Sequence, residues 1–145
     1  MTSPTQSLLW AARPPHYGAS VIVVAASVGV ALLGCLAVFQ LMLVAGAPLG
    51  RFAWGGQQVV LPTGLRIGSA VSVAVYGAIA VLVLEAAGAL DLLPEGFVDV
   101  ALWVLTGYFA LGVAMNAASR SRPERVVMTP VALALALCCL VLALH

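Results

Sequence analysis

Six arginines, five carboxylates, two histidines and three cysteines supply most of the reactive side chains in this 145-residue chain. Their spacing assembles no familiar reaction centre. Cys35, Cys138 and Cys139 contain no C-x-x-C pair, so a thiol redox motif has no support. Cys138 and Cys139 are neighbours, and neighbours on a helix point apart; they read as small apolar packing groups. His16 and His145, together with Asp91, Glu95 and Asp99, offer donor types that a divalent metal accepts. No metal-ligand spacing joins them, and solvated surface groups are the expectation. Neither histidine falls within an apolar stretch, which argues against haem ligation. A Gly-rich phosphate loop and a nucleophile–base pair are both missing. The sequence therefore assigns no catalytic residue, no metal and no cofactor, and an enzyme is not the expected reading. The formal net charge is +1, without a single lysine, and predicts no nucleic-acid partner.

The deeper polar residues are uncharged: Gln40, Ser69, Ser72, Tyr76, Thr106, Tyr108 and Asn116. Their ordinary role is hydrogen bonding between helices. Gln40, Ser69 and Asn116 nevertheless fall in one half of the molecule, near Trp54, Gln57, Arg66 and Arg120. Asn116 and Arg120 are four apart and share a helix face. The spacing predicts a ligand or lipid pocket built from Gln40, Trp54, Gln57, Arg66, Asn116 and Arg120. Arg66 and Arg120 would suit an anionic headgroup there. Glu85 and Asp99 lie at stretch ends and read as interfacial carboxylates.

The elements that position these residues are four long apolar stretches, Ala19–Ala47, Leu65–Ala87, Phe97–Ala118 and Val126–Leu144. A helix needs about 20 apolar residues to cross a bilayer core. Only helices and closed barrels satisfy their backbone in lipid. Continuous apolarity without period-two alternation selects helices. Apolar residues make up 63% of the chain and charged residues 8%, against about 25% charge in soluble domains. The expected fold is an all-α membrane protein, a four-helix transmembrane bundle with helices at about 19–47, 65–87, 97–118 and 124–144. Residues 1–18 form an external tail. The first stretch is about twice the length of a signal-peptide core and is expected to remain as a span.

Arginine placement predicts the orientation. Arg51, Arg66, Arg120, Arg122 and Arg125 flank the first and third connections, and only Arg13 lies on the opposite side. Those two connections are expected in the cytoplasm, with both termini outside. The Ala, Gly, Val and Leu bias, with Arg as the sole basic residue besides His, points to a bacterial source, and the spans then place the protein in the inner membrane. Trp10, Tyr17, Phe97 and Trp103 then mark the outer boundary, and Phe52 and Trp54 the inner one. The first connection is either an ordinary interfacial link or a surface-lying or re-entrant one. Ser121-Arg-Pro-Glu124 matches a capping box, in which Ser121 caps the fourth helix and Glu124 reaches back to it. Pro123 then sits in the first turn. Pro130 either kinks that helix or, if the helix starts near Thr129, occupies its first turn. Ala70/Ala74/Ala78, Ala110/Ala114/Ala118 and Ala132/Ala136 form small-residue stripes expected to let the helices pack closely.

Gly50-Arg-Phe-Ala-Trp54-Gly-Gly56 and Asn116-Ala-Ala-Ser119-Arg-Ser-Arg-Pro-Glu124-Arg125 resemble segments of small bacterial four-span membrane proteins of no assigned activity. The resemblance runs from the first helix onward and implies the fold alone. Members often carry a His at the position of Gln57 or Gln58, and its absence here weighs against a titrating role for this connection. Small multidrug resistance transporters are similar in size, but they carry a membrane-embedded Glu in their first helix where this chain has only Gln40. The leading expectation is a non-enzymatic accessory or scaffold subunit binding lipid or a partner membrane protein. The alternative is a small oligomeric transporter or channel with a cytoplasm-facing polar pocket. The partners implied are the lipid bilayer and either a partner membrane protein or further copies of the chain.

Overall fold

The computed structural model of the protein describes residues 17–145. Trp10, Arg13, His16, the expected external tail up to residue 16 and the Tyr17 side chain lie outside the described residues. Four helices follow in order: α1 (Tyr17–Val44), α2 (Thr63–Ala86), α3 (Glu95–Ala117) and α4 (Arg122–Ala143). All four are long and apolar enough to cross a membrane. The chain is an all-helical, multi-pass membrane bundle.

Proline and glycine set the helix limits. Pro62 and Pro94 hold extended backbone just before α2 and α3, where a missing N–H costs nothing. Helix α1 stops at Val44, short of the apolar run's end. Gly46 adopts φ +89°, a conformation that favours glycine. Its N–H then reaches the Leu43 carbonyl at 3.0 Å, and the Ala47 N–H reaches that of Met42 at 2.9 Å. This is a Schellman ending. Helix α4 starts at Arg122 and runs unbroken past Pro130, so Pro130 is an interior proline and the start near Thr129 is ruled out. The Val126 carbonyl loses its usual donor there.

Helix α1 packs along α2, and α3 along α4. The two hairpins join where α1 meets α4, whereas α2 and α3 touch little. The buried face of α1 runs Ala26, Gly29, Leu33, Gln40 and Leu43, the three-and-four spacing of one helix side. Leu33, Val83, Leu102, Leu135 and Cys139 meet in the centre. The alanine stripes divide. Ala132 and Ala136 of α4 are buried as expected, but Ala70, Ala74 and Ala78 of α2, Ala110 and Ala114 of α3, and Ala118 just past its end face outward. The expectation that all three stripes pack the bundle is corrected: α2 and α3 touch little, and among the described residues nothing covers their small faces.

The connection between α1 and α2 lies across one end of the bundle. It holds two short 3-10 turns, Gly50–Phe52 and Trp54–Gly56. Leu61 and Ala53 pack on Leu43, while Val59 and Val60 are exposed. The Arg-rich connection between α3 and α4 lies against it, and this is termed the basic end. The opposite, acidic end carries Glu85, Asp91, Glu95 and Asp99. At Gly56, φ is +67° and an added Cβ would fall 2.3 Å from Ser121 Cβ. Gly56→Ala is expected to destabilise the protein by about 2 kcal/mol or more, from left-handed strain and the clash together. A lower thermal midpoint in detergent and faster proteolysis between residues 48 and 62 would show it.

Candidate functional site

The basic end is organised around Glu124, in the first turn of α4. Its side chain is 7% exposed. Leaving a carboxylate there without partners would cost several kcal/mol. Its two oxygens accept from Gly55 N–H at 3.2 Å and from the Ser119 hydroxyl. Ser119 in turn accepts the Ser121 N–H at 3.1 Å. Ser121 caps α4 by accepting the Glu124 N–H at 3.5 Å, and its hydroxyl donates to the Arg51 carbonyl. The capping box thus forms by half. Ser121 caps as the motif predicts, but the Ser121 N–H goes to Ser119. The Glu124 carboxylate is released from local duty and holds the first connection instead.

Trp54 is the second fastening. Its backbone has φ +55°, a left-handed conformation that costs a bulky residue on the order of 1–3 kcal/mol. The indole N–H donates to Ser69 Oγ at 3.2 Å, and Ser69 is fully buried. The ring presses on Gly68, where an added Cβ would meet Trp54 Cη2 at 2.8 Å. The strain is held in place by bonds on both sides, Trp54 to α2 and Gly55 to α4.

Behind Trp54 lies a cavity of about 170 Å³. Gln40, Tyr76, Asn116, Glu124 and Trp54 supply its polar lining, and Leu36, Phe39, Phe52, Met128 and Val131 its apolar lining. The Gln40 side chain interacts with the Tyr76 hydroxyl. Gln40 is 8% exposed and its Oε1 has no hydrogen-bond partner. The same five apolar residues also border a groove of about 320 Å³ between α1 and α4, which continues over Leu32, Cys35, Leu49 and Val127. On the other side of Trp54 a wider cleft of about 600 Å³ separates α2 from α3, lined by Gln57, Tyr108, Asn116, Arg120 and Glu124 among others.

Of the residues predicted for one pocket, Gln40, Trp54 and Asn116 meet in the cavity. Gln57 and Arg120 join Trp54 and Asn116 in the cleft. Arg66 borders neither. It covers the end of α1, where a Cβ on Gly46 would fall 1.8 Å from its Nη2, and a cation is favourable at a helix C-terminus. The paired Arg66–Arg120 grip on an anion is therefore not assembled. Glu124 and Tyr76 are the polar residues of the cavity that the predicted pocket left out. Glu124 was readable as a cap, and a carboxylate three residues after its cap, beside an apolar run, is the signal that it is near a bundle end.

The acidic end gathers Glu85, Asp91, Glu95, Asp99 and His145 around a depression of about 370 Å³. Glu85 is occupied in accepting the Leu92 N–H at 2.7 Å. Among the described residues no group of three His, Cys, Asp or Glu side chains could hold a metal ion, and His16 lies outside them. The three cysteines are free.

No protein-family model, curated protein or solved structure matches this chain. The class of protein rests on the fold: a small four-span membrane bundle with a laterally bordered polar cavity at one end.

In a chain carrying Trp10→Phe and Trp103→Phe, emission reports Trp54 alone. Gly68→Leu is expected to drive the indole off Ser69, shift that emission to the red and cost about 2 kcal/mol of stability. An unshifted spectrum would show that Trp54 does not pack there.

Proposed function

We propose that this protein is a non-enzymatic accessory subunit of a bacterial inner membrane that binds a lipid-like amphiphile from the bilayer. The observation that carries this reading is the continuity of an apolar α1–α4 groove with a polar cavity through shared lining residues. A ligand with an apolar chain and a polar head matches both parts. Pockets of this kind, mostly apolar with few placed polar groups, are the usual form of small-molecule sites. The basic end faces the cytoplasm in this reading, because five of the six arginines flank the connections there. Native mass spectrometry after gentle extraction is expected to find the chain with a retained amphiphile. Val131→Trp, which fills the shared wall, should reduce retention to about a tenth. Wild-type protein that carries no amphiphile would sink the reading.

Orientation is tested separately. In a cysteine-free chain, a membrane-impermeant thiol reagent added outside should label Asp91→Cys and spare Gln58→Cys; both native residues are exposed. The reverse pattern would invert the topology.

A second reading is favoured by the outward alanine stripes of α2 and α3: a homo-oligomer or a complex with a partner membrane protein, which would also be the form taken by a small transporter. Small faces allow close helix approach in lipid. Ala74→Leu together with Ala114→Leu should leave the fold intact and reduce any oligomer to single chains, measured by native mass spectrometry. Unchanged assembly would remove those faces from the interface.

A further inference from the structure

The cavity behind Trp54 is lined by a single charged residue, and it is acidic. Glu124 is more than nine-tenths buried, and its partners, the Gly55 N–H and the Ser119 hydroxyl, are uncharged. In the same lining stands Gln40, also more than nine-tenths buried, with Oε1 accepting nothing. A carboxylate oxygen has lone pairs beyond the one hydrogen bond each now accepts. The one charge in the cavity is therefore negative and Gln40 Oε1 is unpartnered, while the donors of Tyr76, Asn116 and the Gln40 amide are neutral. In such surroundings an unpaired polar atom is costly and an opposite charge is strongly attracted. Arg66 lies beside Gly46 at the end of α1 and not in this lining. Arg120 borders the cleft beyond Trp54 and not the cavity.

We infer that the cavity is a binding site for the ammonium head of a membrane amphiphile, whose chain lies in the α1–α4 groove. A primary ammonium is compact, carries the missing positive charge and brings three donors. These can be divided between the Glu124 carboxylate and Gln40 Oε1, with Tyr76 and Asn116 in the same lining. An anionic head meets the like charge of Glu124 and is disfavoured. The assignment rests on the amphiphile-binding reading and adds the headgroup class to it. The same head chemistry occurs in ethanolamine phospholipids and in free long-chain amines, and competition separates the two.

The test uses the full chain with Trp10→Phe and Trp103→Phe in phosphatidylcholine nanodiscs. Trp54 emission is titrated with dodecylammonium, dodecanol and dodecanoate, each referenced to empty nanodiscs. Dodecylammonium is expected to half-saturate at a concentration about tenfold below that for dodecanoate, the effect of one charge-assisted hydrogen bond. Glu124→Gln should abolish that preference. Gln40→Leu leaves the Glu124 bonds to Gly55 and Ser119 in place and should weaken dodecylammonium severalfold, so the inference stays testable if Glu124→Gln does not fold. Displacement of dodecylammonium by ethanolamine lysophospholipid assigns the natural ligand to phospholipids; failure to displace assigns it to free amines. Equal binding of the three probes, or a preference that survives both variants, overturns the ammonium site while the amphiphile reading stands. No response to any probe overturns both.

Discussion

A carboxylate buried at the end of an apolar bundle must be hydrogen bonded, and meeting that requirement shapes the basic end of this molecule. Glu124 cannot face lipid, and its own helix offers it no donor, because Ser119 has already taken the Ser121 N–H. It draws in Gly55 and Ser119 instead. The first connection is thereby pinned to the start of α4, some seventy residues further along the chain. Helix α1 meets α4 under the same connection. One acidic side chain thus couples the two hairpins at the place where lipid can offer no hydrophobic drive to hold them together.

That coupling explains why Trp54 is tolerated in a left-handed conformation. Gly55 is held by Glu124 and the Trp54 indole by Ser69, so the residue between them has little freedom to relax. Backbone strain of this kind persists where surrounding contacts over-determine it, and such places are often functional. Here the strained residue forms the wall between the cavity and the cleft, both of which it borders. The uneven packing of the hairpins has the same origin. They are joined through α1 and α4 and by the pinned connection, whereas α2 and α3 touch little.

The candidate site was legible in part. Gln40 and Asn116 could be grouped from sequence because both fall near the same end of their helices, and depth along a helix follows directly from residue count. Trp54 joined them because its connection closes that end. Arg66 was grouped with them on the same grounds. It lies instead beside Gly46, where the end of α1 favours a cation, a placement that residue depth does not reveal. Glu124 escaped for the opposite reason. Its motif predicts a local bond, and only the position of Ser119 and Gly55 in space shows that the bond is made elsewhere. The sign of the site changes as a result, from a paired cationic grip to an acidic cavity.

What the sequence by itself determined is the number of helices, their membrane-spanning length, their helical state and the prolines and glycines that end them. These follow from local chemistry: apolar run length, the backbone's need for hydrogen bonds in lipid, and the dihedral limits of single residues. What only the tertiary structure decided is which faces pair. Ala occurs at four-residue spacing on three helices, yet one stripe is buried and two are exposed. In lipid, apolar surface gains nothing general from burial, so composition does not mark the inner face. The choice falls to shape and to a few hydrogen bonds, and those depend on neighbours distant along the chain.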